Sequence, residues 1–107
     1  MLKAATKLAD ESEPCAKSAS YDRQTQMVVI QLQGGAVYMF PHHLAQGLAG
    51  ASPEDLEAVE VTPYGSGLHW ESLDVDLQVK SLLQGVYGTK AWMTKLRQES
   101  FYSIDLS

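Results

Sequence analysis

One cysteine in 107 residues, Cys15, excludes an internal disulfide, so packing alone must hold the fold. No apolar run approaches the ~20 residues that a membrane-spanning helix requires. The N-terminus lacks a signal-peptide pattern: Asp10 and Glu11 interrupt it before an apolar segment can form. With neither paired cysteines nor an export signal, the chain points to a reducing cytoplasm. Basic residues are also scarce. Eight Lys and Arg stand against 13 Asp and Glu, giving a net charge of −5 and a pI near 5.0. Phosphate neutralisation needs clustered cations, so general nucleic-acid binding is not expected. Only residues 89–107 lean positive, with Lys90, Lys95 and Arg97 against Glu99 and Asp105. There is no internal repeat and no low-complexity tract.

What is present fits one globular domain. Hydrophobic residues make up 45% and charged residues 20%, and a chain of this length buries roughly two-thirds of its unfolded surface. Residues 1–19 read as a weakly ordered lead-in, 20–97 as the domain, and 98–107 as a C-terminal tail. Met27–Leu32 and Ala36–Phe40 are strand-like runs separated by Gly34-Gly35, a β-hairpin signal. Pro41 opens a predicted helix carrying Leu44, Ala45, Leu48 and Ala49. Ser52-Pro53-Glu54-Asp55 has the form of a helix start. Ala58–Thr62 and Leu68–Glu71 alternate as strands around a glycine turn. Val79, Leu82, Leu83 and Val86 then form one apolar helical stripe, with Asp76 placed to cap its start. Thr89 caps a last short helix bearing Trp92, Met93 and Leu96. The tail from Phe101 alternates apolar and polar residues, either without order or as an added edge strand. Hairpins with short connections predict an α+β domain: a small antiparallel sheet with two or three helices packed on one face.

Gly67-Leu68-His69-Trp70, followed by Asp74-Val75-Asp76-Leu77, is the most specific segment. Together with the flanking order of hairpin, Phe-Pro, Ser-Pro-Glu-Asp-Leu and helix, it resembles the bacterial domain-of-unknown-function family 2442. The resemblance covers about residues 20–93. It implies a small α+β fold in which Gly67, Trp70, Asp74 and Asp76 form the structural motif. Some relatives carry an added helix-turn-helix domain, and many sit beside a small partner gene in a toxin–antitoxin-like arrangement. Too little chain follows residue 93 for such a domain, so the resemblance is to the stand-alone form.

Several constellations suggest chemistry. His69 with Asp74 or Asp76 has the composition of an acid–base pair, which would suit a small hydrolase or isomerase. The simpler reading is a strand-to-helix corner, with Asp74 shaping a turn and Asp76 capping the helix. His42, His43, His69 and Cys15 lack the closely spaced pair that zinc sites use, and no metal or cofactor is expected. Neither Gly34-Gly35 nor Gly65-Ser66-Gly67 has the context of a phosphate loop. Trp92, Arg97, Phe101 and Tyr102 are of the types found at interface centres and mark, together with any unpaired sheet edge, the expected interaction surface. The leading expectation is therefore a non-enzymatic regulatory or antitoxin-like module with a protein partner, able to form a homodimer. The alternatives are the His69 enzyme and a DNA-binding regulator using Lys90, Lys95 and Arg97.

Overall fold

The computed structural model describes residues 14–106, with side chains over 14–99. The expectation for residues 1–13 lies outside this range. Among the described residues six strands form two antiparallel sheets of three. The first contains β1 (Ala16–Asp22), β2 (Met27–Leu32) and β3 (Val37–Pro41), in that order. The second contains β4 (Glu60–Val61), β5 (Gly67–Trp70) and β6 (Val75–Gln78). Helix α1 (Pro53–Glu57) precedes β4, α2 (Val79–Leu83) follows β6, and α3 (Lys90–Leu106) ends the chain. The α+β expectation holds, with two sheets in place of one.

Alternation along the strands builds the core. In the first sheet Tyr21, Val28 and Phe40 lie in register, as do Ala19, Ile30 and Tyr38, all on the inner face. From the second sheet come Leu68 and Trp70, and α1 and α2 add Leu56, Val79 and Leu82. Trp70 is fully buried, and its indole N–H donates to the Leu56 carbonyl at 3.1 Å. A buried side chain of this size contributes roughly 1.5–3 kcal/mol. Arg23 makes a bidentate pair with Glu57, at 2.5 and 2.9 Å, tying the β1–β2 turn to α1. The hydrogen bond to Arg23 holds the Glu57 carboxyl below its usual range.

Four local expectations are corrected. β1 starts at Ala16, inside the stretch read as a lead-in and ahead of Ser20, because Ala16 is itself buried and pairs with Leu32. The helix predicted after Pro41 is only a single 3-10 turn, His42–Leu44. Ala45 and Leu48 are buried, but Gly47 has φ +91°, and a Cβ there would lie 2.6 Å from Val75 Cγ2. The chain turns tightly under β6 instead of coiling. Asp76 is not a helix cap: it lies within β6, and Gln78 precedes α2 with no side-chain cap. Finally, α3 continues to Leu106, where a short helix and an irregular or strand-like tail were expected. Thr89 does cap it, accepting the Trp92 N–H at 3.2 Å. No helix among the described residues is long and apolar enough to cross a membrane.

Candidate functional site

Register places His69 between Glu60 on β4 and Asp76 on β6, on the face opposite Trp70. Its Nδ1 lies 2.7 Å from Asp76 Oδ1 and its Nε2 lies 2.6 Å from Glu71 Oε1. Both ring nitrogens therefore face carboxylates, and both donate when the ring is an imidazolium. The bond to Glu71, then that to Asp76, raises the His69 pKa from 6.5 to about 8. The geometry brings Asp76 to His69. Asp74 instead occupies the β5–β6 turn, at φ +54°, a conformation that Asp tolerates through local hydrogen bonding. A proton-accepting histidine needs a free lone pair, and a doubly engaged imidazolium has none. The groove walled by Thr62, Ser66, Asp76, Gln78 and Lys80 runs beside this cluster without His69 in its wall.

His42 turns inward, with Nδ1 2.9 Å from the Leu48 carbonyl and its ring edge-on to Tyr21. Among the described residues, no group of three or more His, Cys, Asp or Glu is placed to hold a metal ion.

At the C-terminal surface, Trp92 donates from Nε1 to the Leu44 carbonyl at 2.7 Å, and Lys95 sits 5.6 Å from its ring centroid. Trp92 thus docks the start of α3 onto the domain. Arg97 is exposed and lines a groove with Met93 and Val86. The side chains of Phe101 and Tyr102 lie outside the described residues.

The second expected surface, an unpaired sheet edge that the sequence could not locate, lies on the first sheet. Its outer face carries Ser18, Gln31 and Val37 in one row. Ser20, Val29 and Met39 form the next row, and Asp22, Met27 and Pro41 the third. The face grades from polar on β1 to apolar on β3. Val37 and Met39 are 56% and 43% exposed. Leu32 N–H donates to Ala36 O, and His42 N–H donates to Gln26 O. These bonds fix the even-numbered residues of β3 as those bonded to β2. The N–H and C=O groups of Val37 and Met39, and the Pro41 carbonyl, therefore point to the open edge. β1, the other edge strand, by contrast has α1, β4 and the turn after β4 packed close to it. Edge strands are commonly guarded by charge, but residues 24–53 contain no Asp, Glu, Lys or Arg. That gap, with apolar residues at both parities of β2 and β3, is the signal the sequence offered.

The sequence profile of the family described as "Protein of unknown function (DUF2442)" matches residues 16–88, from the first strand through Gly88. The chain belongs to the DUF2442 family. A crystal structure of a protein of unknown function from Rhodospirillum rubrum ATCC 11170 is similar at 53% identity. The match covers 76% of this chain and 98% of that one, with a TM-score of 0.73. The solution NMR structure of an uncharacterized protein from Chromobacterium violaceum matches at 26% identity and a TM-score of 0.72. That match covers 88% of this chain and 86% of the other. No curated protein matches the chain. The family match spans both sheets, the His69 cluster and β3, and ends before α3.

Proposed function

We propose that this DUF2442 protein is a non-enzymatic protein-interaction module of the cytoplasm, regulatory or antitoxin-like in its action. Its contact surface is the open β3 edge with the apolar outer face beside it. One observation carries this reading: β3 offers an uncharged edge whose outward N–H and C=O groups have no bonding partner among the described residues, next to exposed Val37 and Met39. Such an edge accepts another strand through main-chain hydrogen bonds, while alternate side chains give specificity. The double engagement of His69 supports the same reading, since it favours a charge clamp over proton transfer. A photo-crosslinking side chain at position 39 tests it in living cells, with position 55 on α1 as control. A discrete adduct from position 39 alone is expected. Equal adducts from both positions, or none from either, would contradict the proposal.

A further inference from the structure

We infer that the strand β3 receives is β3 of a second copy of this chain, paired antiparallel about a two-fold axis through Met39. The inference rests on the reading of β3 as the contact surface. Two features of that edge favour a copy.

The first is electrostatic. Each chain carries a net charge of −5, so two copies repel at most surfaces. The stretch from 24 to 53, which contains β2, β3 and their outer face, has no ionised side chain other than a protonated histidine. It is the longest uncharged stretch of the chain, and there a like-charged partner meets no opposing charge. An acidic or basic partner would gain nothing from it.

The second is the spacing of bonding groups. Centring the axis on Met39 sets Met39 against Met39 of the second copy, and Val37 against Pro41. Both positions are of the bonded type, because Val37, Met39 and Pro41 all present their main-chain groups outward. Two bonds then join the Met39 residues to each other, and each Val37 N–H meets a Pro41 carbonyl. Pro41 has no N–H, so the Val37 carbonyl alone goes unmatched in each copy. Pro is tolerated on a strand edge for this reason, and here it limits the pairing to one short register. On the outer face, Met39 packs on Met39 and Val37 on Pro41, covering the two exposed apolar side chains of the sheet. The result is one six-stranded sheet. Five residues a side bury less than a standard interface of ~1,200–2,000 Å², so the dimer is weak and concentration-dependent.

Light scattering at high protein concentration, joined to register-specific disulfide trapping, tests the pairing. All variants carry Cys15→Ser. Oxidised glutathione supplies the oxidant. Directly opposed residues of a bonded pair have Cα atoms about 5.5 Å apart, within disulfide range. Met39→Cys is therefore expected to give a covalent dimer. Val37→Cys is not, because its counterpart lies four residues away, about 13 Å along the ladder. Met39→Lys is expected to be a monomer with unchanged circular dichroism. A wild-type chain that stays monomeric at every concentration, or equal trapping at 37 and 39, overturns the dimer. If the chain is monomeric while position 39 still crosslinks one protein in cells, the copy is wrong and the contact surface stands. If both fail, both readings fall.

Discussion

His69 and Asp76 face each other across the β5–β6 ladder, with Nδ1 2.7 Å from Oδ1 on the solvent side of the second sheet. With Glu71 closing the other side of the ring, the cluster holds the β5–β6 turn by charge. The His69 pKa is raised from 6.5 to about 8, so its contribution to stability has a definite sign. It is fully present below pH 6.5 and is lost as pH rises through about 8. Proton NMR of the His69 ring is expected to show a midpoint well above that of a free histidine. Glu71→Gln lowers it most and Asp76→Asn less. The melting temperature of the wild type falls across that pH window, and His69→Gln flattens the fall.

Trp70 tests the core. In Trp70→Phe the Leu56 carbonyl loses its buried donor, which costs about 1–3 kcal/mol. Urea unfolding reads this as a lower midpoint at an unchanged slope. An effect indistinguishable from zero would show that the Trp70–Leu56 bond does not hold α1 to the second sheet.

Gly65 and Gly34 make a matched pair. Gly65 has φ +76°, and a Cβ on it would lie 2.4 Å from the Ala16 carbonyl. Gly34 has nothing within 4 Å and no positive φ. Gly65→Ala is expected to cost at least about 2 kcal/mol, from left-handed strain plus overpacking. Gly34→Ala should stay within about 0.5 kcal/mol of wild type. Denaturant titration of the two side by side checks the close approach of the β4–β5 turn to β1.

Trp92→Ala removes the anchor between α3 and the Leu44 carbonyl. Amide exchange over residues 90–97 is expected to accelerate, while the strand amides of both sheets keep their protection. Equal loss of protection in the sheets would mean that α3 belongs to the cooperative core.

Which elements were legible in the sequence follows from physical range. The β2–β3 hairpin, α1 with its Ser52 cap and the Thr89 cap are set by neighbours within a few residues, and all three were read correctly. The segment after Pro41 has helical spacing, yet it turns back because Gly47 must pass close to Val75, a contact 28 positions away in sequence. Asp76 looked like a cap because it precedes an apolar stripe. Pairing with β5 claims it as a strand residue instead, and α2 starts later. The likeness of Gly67–Trp70 to a family motif was visible, whereas His69 with Asp74 or Asp76 was only one of two alternatives, and the fold brings Asp76 to the ring. The second carboxylate, Glu71, acts from the same strand end, and only the fold shows that it occupies the other nitrogen. The open edge of β3 depends on which strands pair, a property that no single segment carries.

Residue-resolved amide exchange of β3, at low and at high protein concentration, tests the contact surface most directly. The Tyr38 and Phe40 amides bond to β2 and should exchange slowly in both samples. The Val37 and Met39 amides should exchange fast when dilute and become protected when concentrated. Val37 and Met39 exchanging fast at both concentrations, with no partner protein able to slow them, would contradict the account.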